Sequence, residues 1–342
     1  MNSTSQSSSA FQEAIAQSRQ GQDLTEDQTS DLIDAMLQGA ADEQQVAELL
    51  LSLSAKGEAV SELVGAAKAM RRHMTRIPHH HAMLLDTCGT GGSGSGTFNI
   101  STAVAIVAAA CGIPVAKHGN RKATSLTGSA DVLEELGVRI ESEADAVAKR
   151  LDNIGICFCF AAKLHPAMRH VVGVRRKLGV KTLFNLLGPL CNPAGATHQL
   201  LGTSSEDAQN KVAAAVRHLG TTRSFIVHAA DGQDEVSLDG ETSVIEIIGG
   251  EEFRHQWTAG DFGLMLAGRE ALSAPDPATS ADIIRRLFAG EPGPCRDTVV
   301  AGAAAALFLT GQSESLRQGA ERAAEAIDQG AAAEKLAQLA GD

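Results

Sequence analysis

Residues 86–102 have the sequence Asp86-Thr-Cys-Gly-Thr-Gly-Gly-Ser-Gly-Ser-Gly-Thr-Phe-Asn-Ile-Ser-Thr102. Five glycines fall within residues 89–96, between a predicted strand at Met83–Asp86 and a predicted apolar helix at Asn99–Cys111. Glycine lets the backbone approach a ligand closely, and the free N–H groups of a helix start attract phosphate. No Gly-Lys-Ser/Thr closes the stretch and no acidic residue stands suitably after the next strand, so it is neither a Walker A loop nor a clean dinucleotide fingerprint. It predicts a phosphate-binding turn, although a turn that is merely flexible stays open at this point.

Strands and helices alternate beyond this turn. The predicted strands are Ile113–Ala116, Ile156–Ala162 and Ser224–Ala229, and the predicted helices are Asp131–Leu136, Ala144–Asn153 and Asp207–Leu219. An amphipathic helix over Pro166–Gly179 interrupts the alternation, and the Ala-rich stretch from Val299 onward is helical. Such alternation predicts a central, mostly parallel sheet flanked by helices.

The beginning of the chain has a different pattern. From Leu24 to about Met74, apolar residues recur in steps of three or four, which predicts helices throughout. Thr25 and Gln28 have the spacing of a capping box, and Gly39 and Gly57 stand where helices would stop. The fold class is therefore α/β, with a small all-helical domain and a large α/β domain.

The boundaries follow from composition. Residues 1–9 are polar and Ser-rich, which predicts a disordered tail, and the helical domain is placed at residues 10–77. The α/β domain begins at residue 82, after a connector with Pro78 and the histidines His79-His80-His81. We interpret these histidines as a solvated connector, because consecutive residues on a linker do not converge on one metal ion.

Composition narrows the class of protein. The 342 residues carry a formal net charge of −12, which argues against nucleic acid or an anionic membrane as the main partner. The chain does not open with a basic and apolar signal peptide, and apolar stretches such as Ala103–Ala110 are too short to span a bilayer. The six cysteines show no CxxC spacing, which predicts neither a zinc site nor a disulfide framework and fits the reducing cytoplasm.

A second polar cluster follows the next predicted strand. The sequence Lys117-His-Gly-Asn-Arg-Lys-Ala-Thr-Ser125 combines three cations, an amide and two hydroxyls, and Thr127-Gly-Ser129 then opens another helix. The carboxyl ends of parallel strands lie at one edge of a sheet, so this cluster belongs beside the glycine-rich turn. Two phosphate-binding loops at one edge predict a ligand with two phosphate groups.

Two further features suggest a cation and an anionic co-substrate. Asp234 and Glu235 lie on a loop after the strand Ser224–Ala229, and adjacent carboxylates suit Mg²⁺ bound together with substrate oxygens. Arg175 lies on the predicted amphipathic helix, and a guanidinium is the best side chain for a carboxylate substrate. Each feature alone is also compatible with a solvated surface.

Taken together, these residues resemble the anthranilate phosphoribosyltransferase family of tryptophan biosynthesis. The matching motifs are Gly89-Thr-Gly-Gly92, Phe98-Asn-Ile-Ser-Thr102, Lys117-His-Gly-Asn-Arg121, Gly128-Ser-Ala-Asp131, His165-Pro-Ala-Met-Arg-His170, Phe184-Asn-Leu-Leu-Gly-Pro-Leu190, Asn192-Pro-Ala194 and Asp234-Glu235. Lys56-Gly-Glu and Ala69-Met70 in the helical part match as well. The resemblance covers nearly the whole chain beyond the first nine residues.

The resemblance implies a domain arrangement and an assembly. Residues 165–190 would return to the small helical domain, and residues 82–164 and 191–342 would form the α/β domain that binds the phosphoribosyl donor. It also implies a mobile hinge between the domains and a homodimer formed through the helical domain.

The resemblance further implies residue roles. Phosphoribosyl pyrophosphate (PRPP) would be bound by Gly89, Gly92, Ser93, Thr97, Asn99, Ile100, Ser101, Thr102, Lys117, His118, Gly119, Asn120, Arg121, Thr124, Ser125 and Ser129. Anthranilate would meet Gly89, Asn120 and Arg175. Of two Mg²⁺ ions, Ser101 would contact one, and Asp234 and Glu235 would hold the other. The amine of anthranilate would attack the ribose C1 as pyrophosphate leaves, with no protein nucleophile.

Two departures from the family pattern stand out. Ser93 occupies a position where many members have Asp, which predicts an altered magnesium dependence. Ala301-Gly302 replaces the usual Leu-Asn, which predicts an effect on packing of the last helices. The alternatives are a non-catalytic paralogue that only binds ligands and, less favoured, a pyrimidine nucleoside phosphorylase, which should lack the Lys117–Arg121 sequence and the Arg175 motif.

Overall fold

Four helices form the first layer of the structure, a computed structural model that describes residues 2–92, 94–122 and 126–341. They are α1 (Asn2–Arg19), α2 (Glu26–Leu37), α3 (Glu43–Lys56) and α4 (Val60–His73). The capping box is confirmed, since Thr25 Oγ1 accepts from Gln28 N–H at 3.2 Å and Gln28 Oε1 accepts from Thr25 N–H at 2.9 Å. Gly57 ends α3 with φ of 87°.

The disordered tail expected for residues 1–9 is not what the structure has. Residues 2–9 belong to α1, and Met1 lies outside the described residues. The same helix buries Phe11, Ala14 and Ile15 in the core of the layer. The apolar face formed by these three residues anchors α1. The polar residues at the start of the chain extend the same helix, which their composition alone did not indicate.

One seven-stranded sheet forms the second layer, in the order β3-β2-β1-β4-β5-β6-β7. Its strands are β1 (Leu85–Asp86), β2 (Val115–Gly119), β3 (Ile156–Phe160), β4 (His198–Gly202), β5 (Arg223–Ala229), β6 (Thr242–Ile248) and β7 (Glu251–Trp257). The first five in chain order pair in parallel, whereas β6 and β7 are antiparallel. The mostly parallel sheet is confirmed, and β4, β6 and β7 are additions to the four strands predicted.

Helices cover both faces of the sheet. They are α5 (Ile100–Ala110), α6 (Ser129–Glu135), α7 (Ala144–Ile154), α8 (Ala161–Leu164), α9 (Val172–Leu178), α10 (Phe184–Leu187), α11 (Glu206–Leu219), α12 (Pro277–Phe288), α13 (Pro294–Leu309), α14 (Leu316–Asp328) and α15 (Ala331–Gly341). Short 3₁₀ turns lie at Pro166–His170, Gly188–Leu190, Ala259–Phe262 and Arg269–Leu272.

The single helix predicted over Pro166–Gly179 is wrong in one respect. The chain forms the 3₁₀ turn Pro166–His170 and then α9, with Val171 between them. Val171 N–H donates to Met168 O at 2.9 Å, the tighter spacing of a 3₁₀ turn, and Val171 is fully buried. Val171 is thus buried at the junction of two short helical segments, a junction that the apolar periodicity of the sequence did not show.

Two large cores divide the two faces of the sheet. One holds α5, α13 and their neighbours, and the other joins α1–α4 to α11, to Ile226 and Ile245 of the sheet, and to Val171, Val174, Leu183 and Leu187. The segment expected to return to the helical layer therefore packs there. Among the described residues, no helix is both long and apolar enough to cross a membrane.

The histidines of the connector contact the α/β layer. His79 Nε2 lies 2.8 Å from Ala194 O, and His81 Nε2 lies 3.2 Å from Asp152 Oδ1 on α7. Of the three, His80 is exposed, as expected for a solvated connector, whereas His79 and His81 help to fix the path between the layers.

Candidate functional site: two adjoining cavities at the sheet edge

The glycine-rich turn lies at the carboxyl edge of the sheet, between β1 and α5. Gly89 forms a parallel bridge with Gly202 at the end of β4, and Thr90 N–H donates to Gly202 O at 2.8 Å. Further along, Gly96 O accepts from Ala274 N–H at 2.9 Å. Gly91, Gly92, Gly94 and Gly96 all have φ between 64° and 80°, a region that L side chains rarely adopt. The turn therefore requires its glycines and presents an open backbone surface.

This turn forms one wall of a cavity of about 310 Å³. The expected donor-binding residues that line it are Gly89, Gly92, Thr97, Asn99, Ile100, Ser101, Lys117, His118, Gly119, Asn120, Arg121 and Ser129, together with Asp234 and Glu235. The loops from three different strands thus meet around one volume, as the shared carboxyl edge predicts.

A few expected residues lie elsewhere. Thr102 is only 1% exposed and its hydroxyl has no hydrogen-bond partner among the described residues, so the structure does not bring it to the cavity. It follows Ser101 on α5, and one residue along a helix rotates a side chain by about 100°, here from the cavity into the core. Ser93, Thr124 and Ser125 lie outside the described residues.

Lys117 is buried beneath the glycine-rich turn. Its Nζ donates to Thr87 O at 2.7 Å and to the Ser101 hydroxyl at 3.2 Å. Burial lowers the pKa of Lys117, while the nearby Cys88, Asp86 and Glu235 oppose that shift. The ammonium ion thus holds the strand end and the helix start together and brings positive charge beneath the cavity.

Arg121 is turned towards acidic side chains in this structure. Its Nη2 donates to Glu134 Oε1 at 2.9 Å and its Nη1 to Asp131 Oδ1 at 3.2 Å, and these partners raise the pKa of the guanidinium. Asp131 Oδ2 also accepts from the N–H groups of Lys122 and Gly128. Arg121 lines the cavity, and the neighbouring carboxylates of Asp131 and Glu134 partly neutralise its charge.

Asp234 and Glu235 face the turn from the loop after β5. Glu235 Oε1 accepts from Ser101 N–H at 3.0 Å, and burial together with Asp234 raises the pKa of Glu235 to about 8. Asp234 packs on Gly202, where an added Cβ would lie 1.7 Å from Asp234 O. Gly202 was missed in the sequence because it ends an unpredicted strand.

These groups fit a magnesium site. Two adjacent carboxylates and the Ser101 hydroxyl line one cavity, and neither carboxylate forms an ion pair with another described residue. Burial and the neighbouring Asp234 raise the pKa of Glu235, and a bound cation would oppose that shift. Oxygen ligands are those that Mg²⁺ prefers.

A second group of possible ligands is already satisfied. Asp86, Cys88 and His118 lie close enough to share an ion. However, Asp86 Oδ1 accepts from His118 N–H and Oδ2 from Asn192 Nδ2, and burial raises the pKa of the Cys88 thiol. These contacts tie β1, β2 and the following loops together, and we assign the group a structural role.

A second cavity of about 360 Å³ adjoins the first. It lies between the helical layer and the sheet edge, and the two cavities share His118, Asn120, Ala161 and Gly188. Arg175 lines it, with Cζ 5.2 Å from the centroid of the Phe184 ring. Burial lowers the pKa of Arg175, and no described carboxylate forms an ion pair with it. A half-buried guanidinium that lies over an aromatic ring and lacks such a carboxylate suits a planar carboxylate ligand.

His118, in the common wall, contacts His165, which lines the second cavity. The sequence placed His165 only in a family motif and gave it no role at the site. Their Nε2 atoms lie 3.1 Å apart, and His118 Nδ1 lies 3.0 Å from Gly188 O. Burial lowers the pKa of His118 to about 3 and that of His165 to about 4. The pair is therefore neutral near pH 7 and adds no charge beside Arg175.

Comparisons with known proteins agree with this architecture. A family model described as "Glycosyl transferase family, a/b domain" matches residues 81–333, and one described as "Glycosyl transferase family, helical bundle domain" matches residues 12–74. The fold and the site thus define a glycosyl transferase with a helical and an α/β part.

Individual proteins similar to this chain show which glycosyl transferase family it belongs to. Anthranilate phosphoribosyltransferase of Rhodopirellula baltica is 68% identical over 338 residues, covering 99% of each chain. The crystal structure of the Thermus thermophilus enzyme has a TM-score of 0.90 at 40% identity, covering 96% of this chain and 98% of that one. The chain belongs to the anthranilate phosphoribosyltransferase family.

The similar solved structures include complexes of the Saccharomyces cerevisiae enzyme with ligands. The complex with PRPP and Mg has a TM-score of 0.89 at 27% identity, covering 98% of this chain and 97% of that one. The complex with 4-fluoroanthranilate has a TM-score of 0.87 at 27% identity, covering 99% and 98%.

Proposed function

We propose that this protein transfers the 5-phosphoribosyl group of PRPP to the amine of anthranilate, giving N-(5-phosphoribosyl)anthranilate and pyrophosphate in tryptophan biosynthesis. The observation that carries the proposal is the pair of adjoining cavities. One has the glycine-rich turn and two carboxylates, the other has an arginine that no described carboxylate neutralises, and four residues are common to both.

The first cavity would take PRPP. Backbone N–H groups of the glycine-rich turn and of the α5 start would bind the pyrophosphate, with Lys117 beneath them and Asn120 and Arg121 at the second loop. Ser93, Thr124 and Ser125 complete the proposed donor set. Fixed donors of this kind stabilise the negative charge that develops on a leaving group.

Magnesium would bind at the carboxylate side of the same cavity. We propose two Mg²⁺ ions, one contacting Ser101 and the other held by Asp234 and Glu235. When bound, the metal neutralises charge on the departing pyrophosphate.

The second cavity would take anthranilate. Arg175 would bind its carboxylate and Asn120, in the common wall, would direct its amine towards the first cavity, where Gly89 also contacts it. Proximity and orientation supply much of the rate of such a two-substrate reaction, so no protein nucleophile is required. The neutral His118–His165 pair leaves the carboxylate to Arg175.

Anthranilate fluorescence gives a direct test. We expect the signal to fall when PRPP and Mg²⁺ are added together, and to persist when either is omitted. No loss at any metal concentration would reject transfer and favour the non-catalytic paralogue. Release of a free base from a pyrimidine nucleoside by phosphate would instead favour the nucleoside phosphorylase.

Arg175→Gln tests the acceptor site. Loss of a charged hydrogen-bond partner should raise the KM for anthranilate on the order of 10–100-fold, with the KM for PRPP within about twofold. Arg176→Gln is the matched control, since this neighbour is exposed on the same helix and lines neither cavity. Equal effects of the two changes would contradict the role of Arg175.

We also propose a homodimer formed through the helical layer, in the cytoplasm. The dimer is supported by the exposed Leu51 on α3 and by a groove of about 370 Å³ lined by α1 and α2. The cytoplasmic location is supported by the six cysteines, none of which forms a disulfide. Light scattering should give twice the chain mass of 35.5 kDa. A single-chain mass at micromolar concentration would contradict the dimer.

A further inference from the structure

Lys181 connects the acceptor side of the site to the glycine-rich turn. It lies between α9 and α10, and its backbone is tied to the helical layer because Ser54 Oγ on α3 donates to Lys181 O at 3.0 Å. The next residue is fixed as well, since Thr182 N–H donates to Asn185 Oδ1 at 2.9 Å. The backbone from which the Lys181 side chain extends is therefore held in place.

The side chain reaches across to the other layer of the site. Lys181 Nζ donates to Gly92 O at 3.1 Å. Gly92 lines the first cavity. Its φ is 80° and that of the preceding Gly91 is 66°. Neither residue has a side chain that could restrict the backbone of the turn. A contact from outside the turn therefore restricts a segment that would otherwise move easily.

The charge of Lys181 is available for a ligand. Its side chain is exposed, and no described carboxylate forms an ion pair with it. By contrast, Lys177, four residues earlier on α9, forms an ion pair with Glu43. In a chain of net charge −12, such an ammonium beside a cavity for a polyanion contributes a local attraction.

The same short segment serves both cavities. Arg175 and Phe184 line the second cavity, whereas Asn185 lines the first. A contact from Lys181 to Gly92 thus fixes the distance between the segment that would carry the acceptor and the turn that would carry the donor.

We infer that Lys181 is a positioning residue of this site, which holds the Gly92 side of the glycine-rich turn against the acceptor segment and adds positive charge for the donor's pyrophosphate group. This inference rests on the proposed function. It concerns Lys181 itself, which lies outside the lining of both cavities.

The experiment compares Lys181→Met, Lys181→Arg and the control Lys177→Met. Calorimetric titration with pyrophosphate and Mg²⁺ should show about fivefold to tenfold weaker binding for Lys181→Met, as expected for one partly screened charge. The KM for PRPP should rise by the same factor with kcat within about twofold. Lys181→Arg should restore both, and Lys177→Met should match the wild type.

The inference would be overturned by unchanged pyrophosphate binding in Lys181→Met, by no recovery in Lys181→Arg, or by an equal effect of Lys177→Met. A fall in kcat and in thermal stability, together with a rise in both KM values, would also overturn it, because that pattern marks a general structural defect. Failure of the proposed function is distinguishable, since the wild type itself would then not consume anthranilate.

Discussion

Gly202 is the residue on which the placement of the proposed metal ligands depends. It ends β4, forms the bridge to Gly89 and supports Asp234, whose carbonyl oxygen would lie 1.7 Å from an added Cβ. The requirement is for space, since the neighbouring atoms are backbone and cannot rotate away. A single missing side chain thus lets the carboxylate loop and the glycine-rich turn approach each other.

Gly202→Ala should displace Asp234 and Glu235. We expect a loss of about 1–3 kcal/mol in the free energy of unfolding, typical of overpacking, and a fall in kcat on the order of 100-fold, the effect of a displacement near 1 Å. Gly268→Ala is the control, because an added Cβ there has no atom within 4 Å. Wild-type stability and turnover in Gly202→Ala would contradict this role of Gly202.

Glu235 should make metal binding depend on pH. Burial raises its pKa from 4.5 to about 8, so the folded protein binds this proton more tightly than the unfolded chain does. Without metal, its contribution to stability is full below pH 4.5 and is lost as pH rises towards 8, by up to about 1.4 kcal/mol per pH unit. Mg²⁺ displaces the proton, so magnesium affinity should increase over the same range.

Melting temperatures in chelator and in Mg²⁺ measure this effect. Between about pH 5 and pH 8, the wild type should lose stability in chelator relative to Glu235→Gln, and Mg²⁺ should restore the wild type only. Glu241→Gln, which changes an exposed carboxyl nearby, should keep the wild-type profile. Parallel profiles for wild type and Glu235→Gln would exclude a raised pKa at this site.

Helices α5 and α13 pack closely together, and α5 begins at the proposed donor site. Gly302 on α13 faces Val104 on α5, and an added Cβ would lie 2.6 Å from Val104 Cγ2. Ala301 beside it is fully buried. The small residue Gly302 therefore permits a close approach between α13 and the helix that begins beside Ser101. The effect expected of Ala301-Gly302, in place of the usual Leu-Asn, on packing of the last helices stays a prediction.

Gly302→Ala should therefore act on this helix pair. We expect a destabilisation of about 1–3 kcal/mol, since Val104 is β-branched and adjusts poorly. In Gly302→Ala/Val104→Ala the two effects should be less than additive, because the second change removes the clash. Chemical denaturation of the four proteins of this cycle measures the coupling, and strict additivity would refute a direct contact.

The elements differ in how far the sequence predicted them. Val-, Ile- and Phe-rich strands such as Ile156–Phe160 were predicted because both faces are buried. In β7, six of the seven residues are exposed, so no apolar pattern marks it, and hydrogen bonds to β6 define it instead. The break at Val171 was missed for a related reason, since a 3₁₀ turn keeps nearly the same apolar spacing as an α-helix.

At the scale of the whole molecule, the helical layer and the sheet share one core. Leu63 and Val64 of α4 belong to the same apolar cluster as Val212 of α11 and Ile226 of β5. The helical part of the chain therefore has no interior separate from the sheet, and we expect the two parts to unfold together.

Leu63→Ala tests this cooperativity. Leu63 is fully buried, so the change should cost about 2–5 kcal/mol. The single tryptophan, Trp257, lies on β7, and its fluorescence should report the same lowered midpoint as far-ultraviolet circular dichroism. The exposed Gln44→Ala on α3 should change neither signal. Separate midpoints for the two signals would show that the layers unfold independently.

The sequence by itself determined the local elements and most of the site residues. Glycines with left-handed φ, the Lys117–Arg121 cluster and the Asp234-Glu235 pair are constrained within short stretches, so their chemistry is visible in the chain. The tertiary structure decided what depends on contacts between distant residues: the support of Asp234 by Gly202, the neutral His118–His165 pair, the burial of Thr102, and the reach of Lys181 to Gly92. These depend on how strands and helices pack, which no short stretch of sequence specifies.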